Sequence, residues 1–128
     1  MGSLPREEDL HEALTLREKL RRRREAHVER LRCEAERLAG VAASLGVQRV
    51  VLFGSVPWGE PGLGSDLDLL VVWDTPLDYL ERIVTLYRRL QPQVPLDLLV
   101  YTPEEMAVMA HRPLVRRALE RGVVLYES

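Results

Sequence analysis

The apolar positions of the first third of the chain have the spacing of one helical face. Residues 6–45 are rich in Leu, Glu, Arg and Ala. From Val28 to Leu45 the apolar residues recur every three or four positions, which is the period of an amphipathic helix. Before Val28 this pattern is weaker, because the run Arg21–Arg24 interrupts it. We therefore predict one long helix, or two helices with a bend near the arginine run, ended by Gly46.

Short apolar runs separated by turn residues follow this helix. They predict four strands, at residues 49–53, 67–73, 94–101 and 123–126. Helices are predicted after an N-cap at Thr75, after a capping box at Thr102–Glu105, and over Pro113–Arg121. Between the first two strands, residues 56–65 contain two Pro and three Gly and are predicted to be mostly loop. The fold class is α/β or α+β: a small mixed sheet with helices on one side and a long N-terminal helix.

The predicted helix after Thr75 has its own apolar stripe. The spacing assigns to its buried face Leu77, Leu80, Ile83, Val84, Tyr87 and Leu90.

Composition and charge narrow the class of protein. The chain has 128 residues, of which 46% are hydrophobic and 30% charged, as in an ordinary globular domain. We expect a single domain over 1–128, with a motif-bearing core at 47–126 and residues 1–26 as a helical extension that can project from it. The formal net charge of −2 provides no basic field for nucleic acid, so direct nucleic-acid binding is not expected. The run Arg21–Arg24 could contact RNA or an acidic partner, but a solvated helix face is the favoured interpretation.

Cysteine content and hydropathy bear on location. Cys33 is the single cysteine, so the chain can form no internal disulfide, which favours a reducing compartment. No leader-like segment is recognisable, and no apolar run approaches the roughly 20 residues of a membrane span. The expected location is the cytoplasm, without membrane association.

The candidate chemistry lies around the first two strands. Gly54-Ser55 follows the first strand, and ten residues later comes Asp66-Leu67-Asp68. Two carboxylates at positions i and i+2 of a strand point to the same face, where they suit a divalent cation better than an apolar core. A Gly-Ser turn lets the backbone approach an anion closely. Together these features suggest a site for a magnesium-bound nucleotide.

A third carboxylate lies in the next strand. Asp97 is surrounded by apolar residues in the run from Val94 to Tyr101, where an acidic residue requires a partner, a metal or water. If this strand lies beside the strand of Asp66 and Asp68, all three carboxylates can face one Mg²⁺ site. Asp97 could alternatively accept the proton of an attacking hydroxyl.

This pattern resembles the signature of the nucleotidyltransferase superfamily with a polymerase-β-like fold. The short chain is similar to the minimal branch, which includes MntA-type antitoxins paired with HEPN toxins. The resemblance implies that Gly54 and Ser55 contact the nucleotide phosphates, with Gly64 and Ser65 at the other end of the loop as further nucleotide-binding residues. It implies Asp66, Asp68 and Asp97 as catalytic residues and Mg²⁺ ligands. The implied reaction transfers a nucleoside monophosphate, most often AMP from ATP, to a hydroxyl; in the antitoxin branch this is a tyrosine of the partner toxin.

One segment departs from the pattern of many minimal members. Where they have Gly-Ser-Arg-Ala-Arg-Gly, this chain has Gly-Ser-Val-Pro-Trp-Gly, so Val56 and Trp58 replace both arginines. Charge-assisted contacts to phosphate are lost there, unless Arg49 or Arg112 replaces them.

Three functions therefore remain open. The first is a nucleotidyltransferase that modifies a HEPN-type helical partner and acts as an antitoxin. The second is a weak or inactive member that neutralises or scaffolds a helical partner by contact. The third is an enzyme that modifies a small-molecule hydroxyl. The long N-terminal helix also provides a possible surface for a homo-oligomer.

Overall fold

The computed structural model of the chain describes residues 4–58 and 66–128. They belong to two compact units, Met1–Arg30 and Leu31–Ser128. Helix α1, Glu7–Ser44, begins in the first unit and ends in the second, which confirms the predicted long N-terminal helix. Gly46 follows it in the left-handed conformation, with φ +88°, as expected for a residue that ends a helix. Within the described residues, no helix is both long and apolar enough to cross a membrane.

The second unit contains the end of α1 and all the remaining elements. The strands are β1 Arg49–Phe53, β2 Leu67–Val72, β3 Leu96–Tyr101 and β4 Val123–Glu127. The helices are α2 Ser55–Trp58, α3 Tyr79–Leu90, α4 Pro103–Met109 and α5 Pro113–Arg121. All four predicted strands are confirmed to within two residues at each end. The single turn α2 lies at the start of the region predicted to be mostly loop.

The four strands form one mixed sheet in the order β3-β2-β1-β4. β1 pairs antiparallel with both β2 and β4, whereas β2 and β3 are parallel. The parallel pair requires a crossover connection, and α3 lies in that connection. The predicted α+β class with a small mixed sheet is therefore confirmed.

Both faces of the sheet are buried at its centre. Val51, Phe53 and Leu70 share one face and pack against Val115 and Ala118 of α5. The alternate residues of β2, which point to the opposite face, are just as fully buried. The buried side chains of α1 and α3 supply the rest of the core, among them Leu38, Ala42, Leu86 and Leu90. A sheet buried on both faces explains why β1 and β2 are almost continuously apolar.

The start and the buried face of α3 differ from the prediction. The N-cap is Asp78, whose Oδ1 accepts a hydrogen bond from the backbone N–H of Glu81 at 2.9 Å. Thr75 instead accepts a hydrogen bond from Leu77 N–H at 3.3 Å, in the turn before the helix. Leu80 is 71% exposed and Val84 is 40% exposed, although the spacing placed both on the buried face.

The guanidinium of Arg82 joins α3 to its neighbours inside the protein. Arg82 is only 6% exposed, and its Nη1 lies 2.6 Å from Oε1 of Glu105 on α4. It also donates hydrogen bonds to the carbonyl of Leu77 at 2.8 Å and to that of Val100 on β3 at 3.4 Å. Glu105 is in turn part of the predicted capping box with Thr102, which is confirmed. Hydrogen bonds from the Thr102 backbone and from Arg82 lower the pKa of Glu105.

A second charged pair joins α1 to the end of α3. Nε of Arg37 lies 2.6 Å from Oε1 of Glu34, and its Nη2 donates to the carbonyls of Leu90 and Gln91 at 3.3 Å and 3.1 Å. Glu34 also accepts a hydrogen bond from the backbone N–H of Gln93 at 2.6 Å. These bonds, the one from Arg37 foremost, lower the pKa of Glu34.

Candidate active site

Two of the predicted acidic residues are neighbours on adjacent parallel strands. Asp68 of β2 is in register with Asp97 of β3. Residues in register lie on the same face of a sheet, on strands about 4.8 Å apart. The expectation that the third strand lies beside the second is therefore confirmed. Like charges directly opposite each other destabilise a strand pair, and a bound cation would offset that repulsion.

The turn at Gly54 is packed directly against Asp68. Phe53, the last residue of β1, pairs with Asp68, and Gly54 then turns the chain with φ +81°. A Cβ built on Gly54 would lie 3.0 Å from Cγ of Asp68 and 3.4 Å from its Cβ. Glycine is thus required for two reasons. Residues with a side chain rarely adopt this φ, and the Asp68 carboxylate occupies the space that a Cβ would need. The turn and the carboxylate, separated by fourteen positions in sequence, form one local structure.

Asp66 lies one residue before β2, at the same end of the sheet. Its backbone N–H donates to the carbonyl of Pro95 at 3.0 Å, next to the start of β3. Asp66 and Asp68 are half-buried, and Asp97 is exposed. Because Asp66 lies before β2 begins, the alternation of side chains along that strand does not determine which face of the sheet the Asp66 side chain is on. Across residues 4–58 and 66–128, no three acidic, histidine or cysteine side chains stand together as a ready-made metal cluster.

The remaining residues predicted for the site are the serines and glycines of the loop. Ser55 is the first residue of α2, directly after Gly54. Gly64 and Ser65 lie outside the described residues. Their roles, like those of the three carboxylates, stay predictions.

The acidic pair has the right chemistry for Mg²⁺. This ion is usually held by one or two carboxylates together with substrate phosphates and waters, rather than by a complete protein cage. Asp68 and Asp97 supply two neighbouring carboxylates on one face, and the Gly54 turn packs against the first of them. A nucleotide would add its phosphate oxygens to this partial set.

Tyr87 is a residue near this site whose position the sequence did not indicate. It lies one turn before the end of α3, and its apolar spacing marked it only as part of the buried helix face. Partial burial raises the pKa of its phenol, and the negative charge of Asp97 raises that pKa further. The phenol therefore stays protonated at neutral pH. The effect of Asp97 on Tyr87 depends on the tertiary structure, and no local sequence pattern predicts it.

Arg49 does not replace a missing motif arginine at this end of the sheet. Arg49 is at the opposite end of β1, where it pairs with Val72 and its Nε lies 4.0 Å from Glu127. Phe53 is four positions further along β1, a distance of about 13 Å. Arg112 is close enough to Tyr101, the last residue of β3, for its positive charge to lower the pKa of that phenol. Burial raises the same pKa more strongly. Asp97 is four residues away along that strand.

Comparison with known families decides the class of the protein. The profile of a protein family described as "Nucleotidyltransferase domain" matches residues 35–125 of this chain. The chain belongs to this nucleotidyltransferase domain family. The match includes the last part of α1, all of β1, β2 and β3, and the first three residues of β4. It therefore begins earlier than the resemblance at 47–126 suggested. Membership makes the protein a nucleotidyltransferase in the general sense, and such domains generally use a nucleoside triphosphate and a divalent metal.

A solved structure agrees with the nucleotidyltransferase fold. The chain is similar to a candidate nucleotidyltransferase from Sulfolobus solfataricus, with a TM-score of 0.54 and 22% sequence identity. The similarity covers 80% of this chain and 85% of the other. At this identity the likeness concerns the fold alone. No curated protein matches this nucleotidyltransferase chain.

Proposed function

We propose that the protein is a Mg²⁺-dependent nucleotidyltransferase that moves AMP from ATP to a hydroxyl group. The observation that carries the proposal is the placement of Asp68 beside Asp97, with Gly54 packed against the Asp68 carboxylate. A catalytic site explains why two like charges are set side by side and why the turn next to them leaves no room for a side chain.

Each residue has a defined part in the proposed reaction. The carboxylates of Asp66, Asp68 and Asp97 would hold Mg²⁺, which neutralises phosphate charge and helps to stabilise the developing charge on the leaving group. The backbone at Gly54 and Ser55 would contact the phosphates. The acceptor hydroxyl oxygen forms a bond to the α-phosphorus, the bond from that phosphorus to the bridging oxygen breaks, and pyrophosphate leaves. Asp97 is the candidate base for the hydroxyl proton, if it is not fully committed to the metal.

The proposed acceptor is a tyrosine on a HEPN-type helical protein in the cytoplasm. This part of the proposal is supported by the resemblance to the minimal antitoxin branch. Transfer of AMP to the toxin would make this chain an antitoxin that acts by covalent modification.

Transfer of radiolabel from α-labelled ATP tests the enzyme hypothesis. We expect the paired substitution Asp66→Asn/Asp68→Asn to abolish Mg²⁺-dependent ATP binding and labelling of the partner. Asp74→Asn is the matched control, because Asp74 is an exposed aspartate just beyond the other end of β2. Labelling that survives in the paired variant would contradict the proposed site.

A binding module without strong catalysis is the second candidate. It is favoured by Val56 and Trp58 in the motif segment and by the position of Arg49 at the far end of β1. The two candidates differ in one measurement: neutralisation of the partner by the Asp66→Asn/Asp68→Asn variant. A contact-only module would neutralise fully with this variant, whereas an antitoxin that acts by transfer would fail.

A further inference from the structure

Residues 7–30 of the first unit lie in α1, and several of the leucines there are open to solvent. Leu10, Leu14, Leu16 and Leu20 of α1 are between 52% and 62% exposed. Within residues 4–30 the structure describes no second element that could cover them. Four half-exposed leucines within eleven residues are the kind of surface that a partner helix covers.

Leu10 and Leu20 fit the heptad spacing of a two-stranded coiled coil. The seam of a coiled coil is the row of positions, separated alternately by four and three residues, that faces the partner helix. In this segment the seam consists of Arg6, Leu10, Ala13, Arg17, Leu20 and Arg24. Leu14 and Leu16 occupy the positions that flank this seam. Leu14 is on one side and Leu16 on the other, so they widen the apolar surface in both directions.

We propose that this segment pairs antiparallel with the same segment of a second copy of the chain. In an antiparallel pair with two-fold symmetry, one offset places Leu10 opposite Leu20 of the other copy. At that offset Leu14 and Leu16 each face their own equivalents across the two flanks. One register therefore brings all four leucines together.

The charges of the segment agree with the same register. Glu7 and Asp9 lie in the first turn of α1, and the arginine run Arg21–Arg24 lies about three to five turns later. At the offset that matches the leucines, Glu7 faces Arg21 of the second copy and Asp9 faces its Arg23, and symmetry repeats both pairs. An in-register parallel pair would lose these contacts and would set the two acidic first turns side by side, and likewise the two arginine runs. Opposite charges at the flanking positions set orientation and partner choice in coiled coils.

The remaining seam residues are compatible with this arrangement. Arg17 faces Ala13, whose small side chain leaves room for the arginine stem while its charge reaches water. Arg6 and Arg24 join like charges, but they lie at the open ends of the pair, where solvent and salt screen them. Within one helix, Arg21 contacts Glu25 at 3.9 Å with both side chains more than 60% exposed. Such surface pairs are weak and can rearrange when a partner binds.

The pairing is independent of the proposed catalysis, and sedimentation equilibrium of the full chain tests it. We expect a dimer for the wild-type chain. Glu7→Arg/Asp9→Arg and Arg21→Glu/Arg23→Glu should each weaken self-association by more than about tenfold, since all four charge pairs become repulsive. An equimolar mixture of the two variants should associate again, because the reversed positions of one then face the reversed positions of the other. Circular dichroism verifies that each variant keeps its helix.

Cross-linking distinguishes the antiparallel register from a parallel one. In a Cys33→Ser background, Ala13→Cys and Arg17→Cys should form a disulfide only when the two variants are mixed, because these positions face each other across the seam. A disulfide requires Cα atoms within about 7 Å. Cross-linking of each variant with itself would show a parallel pair and overturn the proposal. A wild-type chain that stays monomeric at its highest soluble concentration would also overturn it, and would leave the leucine surface to a helix of a different protein.

Discussion

Replacing Gly54 with Ala tests whether the turn after β1 and the carboxylate of Asp68 form one functional unit. Gly54 has φ +81°, and an alanine forced into the left-handed region costs about 1–2 kcal/mol. The added methyl would also meet the Asp68 side chain, whose Cγ lies 3.0 Å from that position. Turning this side chain off its preferred rotamer costs about 0.5–1.5 kcal/mol more. We expect a total loss of about 1.5–3.5 kcal/mol in the free energy of unfolding.

The chain contains a matched control for the backbone part of this cost. Gly46 has φ +88°, yet a Cβ built there meets no atom within 4 Å. Gly46→Ala should therefore lose only the backbone contribution, about 1–2 kcal/mol. The difference between the two variants in urea unfolding isolates the contact with Asp68.

Isothermal titration of ATP in the presence of Mg²⁺ provides the functional measurement. We expect Gly54→Ala to lose binding, because the carboxylate is displaced, and Gly46→Ala to retain it. Wild-type affinity in Gly54→Ala would refute the reasoning, since Asp68 could then move without consequence for the site. Equal loss in both variants would assign the effect to general destabilisation rather than to the site.

Three further predictions concern the contacts that hold the helices around the sheet. Arg82→Leu should lower the free energy of unfolding by about 2–4 kcal/mol in urea titration, because Glu105 and two carbonyls lose their buried donor; an unchanged midpoint would contradict the importance of this contact. Thr102→Ala should cost about 1 kcal/mol through loss of the N-cap of α4, and Thr102→Ser, which keeps the hydroxyl, should cost less. The pKa of Glu34 is lowered from 4.5, so its stabilising effect is complete above that pH and is lost as the pH falls through the lower folded-state pKa. Thermal midpoints measured from roughly pH 6 to roughly pH 3 should therefore fall more steeply for the wild-type chain than for Glu34→Gln, and parallel curves would contradict this.

Features set by neighbouring residues were predictable from the sequence. The capping box at Thr102–Glu105 and the helix Pro113–Arg121 were found where they were predicted, because caps and helix-terminal prolines act within one turn. The start of α3 was wrong by several residues, because two capping candidates, Thr75 and Asp78, lie close together and propensity does not choose between them. The buried face of α3 was also predicted in part incorrectly: Leu80 and Val84 are exposed, and Arg82, which was not expected inside the protein, is buried.

Arg82 illustrates why that error could not be avoided. Its burial depends on Glu105 and on the carbonyl of Val100, which are 23 and 18 residues away. A charged side chain is stable inside only where such partners meet it, and a helical pattern contains no information on residues of other elements.

The sequence by itself determined the chemical groups of the candidate site and their local spacing. A Gly-Ser turn after a strand, and aspartates two positions apart, can be identified from strand periodicity alone. Only the tertiary structure decided that β2 and β3 are parallel neighbours with Asp68 in register with Asp97, and that Gly54 packs against Asp68. The physical reason is that alternation within a strand is a property of the local backbone. The pairing of strands depends on how distant segments share one buried sheet.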